Sequence, residues 1–378
     1  MLRRARSTVG VDIGSGYLKI VVVDHGGDTP TLTHVAHAPL VADAIVEGEL
    51  MDPQLVVETL KSLVAALGLK PKGNVVTAVG GRDVILKKIT VDRMRPDEAR
   101  ELIRFEAAQY VPFDMESVQL DFQVLDPEGD GTQMQVLLVA AKRDVVEQRV
   151  QLLRDAGLEP AIVDVEALAL HNAFAFNYPK ALERTVLLLN VGHERTILNV
   201  VQEGQPVLTR DFPFGARTLR EDLRRLHGLT AEEAEEVIEG RSTRRDEFSP
   251  ALRQRADELA QQVERASTIL GLGERNGAQG VYLAGGASRL PELAAALADR
   301  LRRFARDVAE LGVRLRHRDL HLQPGVVFRF EVPELPHLWE AVAIDHPGRP
   351  FLPLSRSRVD RRCRYAPRSS AAIFSASP

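Results

Sequence analysis

Three glycine-bearing turns hold the residue types that could cradle a phosphate. In the first, Gly14, Ser15 and Gly16 separate two apolar runs, with Asp12 just before the turn and Lys19 just after it. A phosphate needs backbone N–H groups aimed at it from a loop it can approach closely, and glycine permits both. Asp12 is placed to hold Mg²⁺ through its water shell, since that ion usually keeps several waters. Lys19 is expected to reach a phosphate oxygen. In the second turn Gly192 lies between Asn190 and Glu194, with Thr196 on the returning run. This turn would face the outer phosphates or the metal. In the third, Gly285 and Gly286 follow Val281–Ala284 and open a helix that Ser288 is expected to cap. Such a turn lets the backbone lie against a sugar or base, and the helix N-terminus favours anionic groups. A single turn of this kind can be a plain hairpin with a polar tip; the order and spacing of all three carry the inference.

Other phosphate motifs do not fit. There is no Gly-x-x-x-x-Gly-Lys-Ser/Thr loop, and a strand rather than a helix follows Gly16. Gly14-Ser15-Gly16 also lacks the third glycine of a dinucleotide fingerprint.

The elements that must position these turns can be read from periodicity. Residues 9–23 form a β-hairpin, and His34 to Val46 supplies a third strand. Leu55, Val56, Leu60, Leu63, Val64 and Leu67 share one face of a helix that begins at Pro53 and stops at Gly68. Strands are expected at 75–79, 84–91, 118–125, 135–141 and 161–165, and helices at 96–110, 144–156 and 167–176. The second glycine hairpin begins at Thr185. Helices follow at 218–227, from Thr230 (with Glu233 three residues on, the spacing of a capping box) and at 250–272. A strand at 281–284 and the helix after Ser288 complete this part. Leu301, Phe304, Val308, Leu311 and Leu315 keep a 3-4 spacing that would carry a helix to about Arg316.

With 378 residues the chain can build more than one core, and its net charge of -4 gives no support for a nucleic-acid binder. No apolar run approaches the ~20 residues that span a bilayer. The basic start, Arg3-Arg4-Ala5-Arg6, is followed by an apolar stretch broken by Asp12 and glycines, unlike a secretory signal. One cysteine, Cys363, excludes a disulfide framework, so the cytoplasm is the simplest compartment. His171 and His193 stand alone, without a metal-ligand partner at helical spacing.

Taken in order, the three turns resemble the actin-like ATPase fold, an α/β, two-lobe architecture shared by actin, sugar kinases, DnaK-type chaperones and FtsA. The stretch Arg104-Phe105-Glu106-Ala107-Ala108-Gln109-Tyr110-Val111-Pro112-Phe113 narrows this. It is similar to the aromatic-Glu-Ala-x-x-Tyr-Ile-Pro-Phe stretch of the PilM family of type IV pilus assembly. Leu153 to Pro160 and Val163-Asp164-Val165-Glu166 are also similar to that family. The resemblance covers about 8–301.

The resemblance implies an ATP site built from Asp12, Gly14, Ser15, Gly16 and Lys19, from Asn190 and Gly192, and from Gly285, Gly286 and Ser288, with Mg²⁺ near Asp12. The fold usually carries Asp where this chain has Asn190. The loss of one negative charge near the metal favours ATP binding over fast turnover, at most a weak ATPase. The expected organisation is a first lobe of 8–72 with 163–182, an inserted strand-helix-strand-strand-helix subdomain of 73–162, and a second lobe of 183–301 with a helical part at 211–277. The implied partner is the N-terminal cytoplasmic peptide of a PilN-type inner-membrane protein. The insertion would form part of its groove, with Tyr110, Pro112 and Phe113 as contact candidates; the plainer reading makes these aromatics, and Phe105, the insertion's own core. Contact with the membrane would be indirect, at the inner face of the inner membrane, and a homo-oligomer is compatible.

Two other readings stay open. A small-molecule kinase of this fold would need a general-base Asp, for which Asp164 and Asp211 are candidates by position. An FtsA-like filament protein would end in an amphipathic membrane helix. Residues 302–378 turn rich in arginine, histidine and proline and lack the family's closing strand and small-residue helix. They read either as a divergent basic tail or as an end replaced by a frame shift. Arg356 to Arg368 could touch anionic lipid, or be solvated.

Overall fold

The computed structural model describes residues 7–26, 30–40, 43–69, 74–127, 129–269 and 278–301. Two lobes repeat one plan. In the first, β1 (Ser7–Ile13) and β2 (Tyr17–Asp24) form an antiparallel hairpin that β3 (Thr31–Pro39) extends. In the second, β11 (Val186–Val191), β12 (Thr196–Gln202) and β13 (Gln205–Phe212) do the same. Each first strand then receives a later parallel neighbour: β6 (Val75–Val79) beside β1, and β14 (Gly280–Ala284) beside β11. A further parallel strand, β10 (Pro160–Val165), completes the first sheet in the order β10-β6-β1-β2-β3. The second sheet runs β13-β12-β11-β14. Parallel pairing demands a crossover and cover on both faces, which is why β11 reads Val-Leu-Leu-Leu-Asn-Val with almost no polar interruption.

Helix α1 (Pro53–Ala66) forms the first crossover. Asp52 caps it by accepting the Leu55 N–H at 3.0 Å, Pro53 pre-sets the first turn, and Val56, Val57, Leu60 and Leu63 are buried against the sheet. Between β3 and α1 a small hairpin, β4 (Ile45–Val46) and β5 (Glu49–Leu50), replaces the tail of the strand expected over His34–Val46.

The insertion is narrower than 73–162. Both β6 and β10 belong to the first-lobe sheet, and α3 (Arg143–Asp155) buries Leu152 and Leu153 in the core beneath α1. What projects is a separate sheet of β7 (Val84–Asp92), β9 (Gln133–Lys142) and β8 (Val118–Val124), in the order β7-β9-β8, with α2 (Pro96–Ala107). Its neck is tied where the chain enters and leaves: the Lys142 N–H donates to the Asp83 carbonyl at 3.0 Å and Lys142 Nζ pairs with the Asp83 carboxylate at 2.6 Å. Strand β9 is covered on both faces. Leu137, Val139 and Ala141 pack with Val163 and Leu168 of the first lobe, while Val136, Leu138 and Ala140 pack with Ile103 of α2.

Helix α4 (Glu166–Asn177) leads from β10 to the second lobe. There α5 (Ala216–His227), α6 (Ala231–Ile238), α7 (Arg245–Ile269) and α8 (Pro291–Leu301) cover the outer face of the sheet. The capping box of α6 forms as expected: the Glu233 N–H donates to the Thr230 hydroxyl, and the Thr230 N–H to the Glu233 carboxylate at 2.8 Å. Helix α7 begins at Arg245, five residues before the expected start, and accepts Pro250 inside it. The continuation to Arg316 and the basic segment 356–368 lie outside the described residues.

Candidate functional site

The three turns meet at the junction of the lobes. Turn one is closed by the Gly14 N–H, which donates to the Tyr17 carbonyl at 3.2 Å, and the Gly16 carbonyl accepts from Leu40 N–H at 2.9 Å. Ser15 lies between them. Gly16 lies directly under the His193 ring: a Cβ there would stand 2.6 Å from Cγ of that histidine. Turn two is closed by the Gly192 N–H on the Arg195 carbonyl at 2.9 Å. Its carbonyls at Gly192 and His193 accept from the Ala216 and Arg217 N–H groups, so the open N-terminal amides of α5 bolt onto the turn. Turn three joins the same place. Gly285 has φ +88, and a Cβ there would overlap the Val191 carbonyl oxygen and stand 2.6 Å from Asn190 Oδ1. Only glycine fits so close an approach in that backbone region. Gly286 is exposed, with open space around it.

Two of the expected roles differ. Ser288 does not cap α8: its hydroxyl donates back to the Gly285 carbonyl at 2.7 Å, within a short 3-10 turn (Gly286–Arg289) that precedes the helix. Lys19 does not stand free for a phosphate. It is the cross-strand neighbour of Asp12 and pairs with its carboxylate at 2.6 Å, both side chains about half exposed. Among the described residues no group of three or more His, Cys, Asp or Glu has metal-holding geometry.

Turn two also crosses the lobe boundary through its charged side chains. Glu194 Oε2 accepts the Glu47 N–H at 2.9 Å, and Arg217 joins Glu194 at 2.8 Å to Asp43 at 2.8 Å. On the inner side Arg195 donates to Glu166 at 2.6 Å and to Asp211 at 3.1 Å. Arg149 lies behind, donating to the Ile13 carbonyl at 3.2 Å. Burial drives the Glu166 carboxyl up, against the pull of Arg195, and it drives the Arg149 guanidinium down. Burial also opposes the charge on Arg195, but Glu166 and Asp211 outweigh it and raise its pKa. His193 is pushed down by burial and then by Arg220, so it is neutral at pH 7. This inner cluster was not visible in the sequence, because Glu166 and Arg195 are 29 positions apart and in different lobes.

Next to it a groove of about 250 Å³ opens between the edge of β7 and the edge of β13. Gly80, Gly81, Val84, Leu86, Glu166 and Asp211 are among its walls. Tyr110, Pro112 and Phe113 are not. Tyr110 and Phe113 pack on the α2 side of the insertion sheet, under Lys87 Nζ at 4.4 Å and Lys142 Nζ at 4.9 Å respectively, and Pro112 is exposed. Phe105, expected in the insertion's core, is 71% exposed on α2.

Two lobes of one plan, each contributing a glycine turn to a shared junction, define a protein of the actin-like ATPase fold. Over residues 10–323 the chain matches the family described as type IV pilus assembly protein PilM, and it belongs to that family. It is similar to a solved structure described as the PilM–PilN type IV pilus biogenesis complex, at 30% identity and a TM-score of 0.69, covering 80% of this chain and 88% of that one. The ethanolamine utilization protein EutJ from Carboxydothermus hydrogenoformans is similar in fold, with 18% identity, a TM-score of 0.51 and coverage of 81% and 85%. Among the described residues no helix is long and apolar enough to cross a membrane.

Proposed function

We propose that this chain is a cytoplasmic, ATP-binding scaffold of type IV pilus assembly that holds the N-terminal peptide of a PilN-type inner-membrane protein. The observation that carries the nucleotide part is the contact of Gly16 with His193 and of Gly285 with Asn190, which gathers the three turns into one site. Gly14, Ser15 and Gly16 would cradle phosphate through their N–H groups, Asp12 would hold Mg²⁺ through water, and Gly285 and Gly286 would lie against the adenosine. Bound Mg²⁺ would neutralise phosphate charge; Lys19 is held at the same place by Asp12. With Asn190 instead of a carboxylate, the site favours binding over turnover.

The groove between β7 and β13 supports the peptide part. It is flanked by two sheet-edge strands, and an extended peptide can pair with such an edge while its side chains enter pockets. Family membership and the likeness to a PilM–PilN complex support the partner's identity. The kinase reading finds its candidate bases engaged: Asp211 is held by Arg195, and Asp164 is buried with its carboxylate accepting the Val165 N–H at 2.8 Å.

Isothermal titration of the full chain with a PilN-type N-terminal peptide and, separately, with Mg²⁺-ATP tests both parts. Saturable binding of each is expected. A folded sample that takes up neither ligand would overturn the proposal.

A further inference from the structure

Arg195 closes the second turn and reaches residues that wall the β7–β13 groove. Its backbone carbonyl closes the second turn by accepting from Gly192, 2.9 Å away. Its side chain leaves the turn, passes against the Gly80-Gly81 corner and ends between two carboxylates. A Cβ on Gly81, where φ is +92, would stand 2.9 Å from Arg195 Nη1, so the guanidinium packs directly on the bare glycine. The carboxylates come from different lobes: Glu166 opens α4 in the first, and Asp211 lies on β13 in the second. Gly80, Gly81, Glu166 and Asp211 all line the β7–β13 groove.

A planar guanidinium holding two carboxylates has little freedom to absorb movement. Its side chain is 31% exposed and that of Glu166 20%, so water does not substitute easily for either partner. A shift of the second turn on meeting phosphate is therefore passed to the groove wall, and a ligand that spreads the groove pulls on the turn. We propose that Arg195 is the residue that couples nucleotide occupancy to peptide affinity. This rests on the two ligand sites proposed above, and by linkage the effect is the same in both directions.

The test is a thermodynamic cycle on the full chain. The affinity of the PilN-type N-terminal peptide is measured by isothermal titration with and without Mg²⁺-ATP, and the readout is the ratio of the two values, not either affinity alone. For the native chain that ratio is expected to differ from one by at least about fivefold, the lower end of ordinary coupling. Arg195→Lys, which keeps the charge but loses the fork, is expected to bring it close to one. The double variant Arg195→Met with Glu166→Gln should do the same while neutralising the less exposed of the two carboxylates, and covers the case in which a single variant folds poorly. A variant that binds both ligands and keeps the native ratio would overturn the coupling role. So would a native chain that binds both ligands with a ratio of one, which leaves the proposed function standing. Absence of binding in the native chain removes both.

Discussion

Gly285 and His171 show how much rests on single positions. Gly285 combines a positive φ with direct contact on the Val191 carbonyl. Gly285→Ala must bear the left-handed backbone, itself of order 1–3 kcal/mol, and push turn three away from turn two. Chemical denaturation should show a loss of at least that size, and the ATP-dependent rise in melting temperature should vanish. Gly16→Ala would meet Cγ and Cβ of His193, and that Cβ moves only with the backbone of turn two, so the two turns are pushed apart; a stability loss with weakened ATP binding is expected in the same assays. His171, buried on α4 with Nδ1 lacking a hydrogen-bond partner, has its pKa lowered by burial from the ordinary 6.5 to about 4. The unfolded chain takes up this proton near pH 6.5, while the folded chain resists it until about 4. Stability therefore falls as pH drops through that window, by roughly 3 kcal/mol from this residue once complete. Urea midpoints measured from pH 7 to 4 should fall, and His171→Gln should flatten that part of the curve; an unchanged slope would refute the assignment.

At the scale of elements, local signals were legible and non-local ones were not. The glycine hairpins, α1 and the α6 capping box could be read because cap, period and stop agree within a few residues. Thr230→Ala should cost about 1 kcal/mol by loss of the cap, measured as a shift in the denaturation midpoint. Strand β13 was missed because Pro206 interrupts its start and its pairing slips between Val200 and Val201, which blurs the alternation. Ser288 had the right residue type for a cap, but the intervening 3-10 turn moves the start of α8 to Pro291. Phe105 was expected inside by its aromatic character, yet α2 turns Ile103 and Ala107 to the core and leaves Phe105 out. The boundary of the insertion could not be read either, since strands of two sheets alternate along the chain and only pairing reveals which sheet each joins. The three glycine turns could be named from sequence; the Glu166–Arg195–Asp211 bridge could not, because nothing local links its members.

For the whole molecule, a ligand held between the lobes adds its binding energy to folding. At one hundred times the dissociation constant, Mg²⁺-ATP should stabilise the chain by about 2.7 kcal/mol. A thermal melt that rises with ATP concentration checks this; a curve indifferent to saturating ATP argues against a site formed by the native fold. The outer contacts from Asp43 through Arg217 to Glu194 and the inner contacts through Arg195 mean that the lobes are already joined on both sides of the second turn.

Strand β9 adds a last consequence. Its residues from Val136 to Ala141 are at most 1% exposed, pressed between α2 and the first lobe. The insertion is therefore welded to its parent lobe and is not free to swing on its neck. One jaw, β7, is fixed to the first lobe, and the other, β13, travels with the second. The gap between them is a caliper: any turn of one lobe against the other would change it, and a probe placed across the two strands would register that turn.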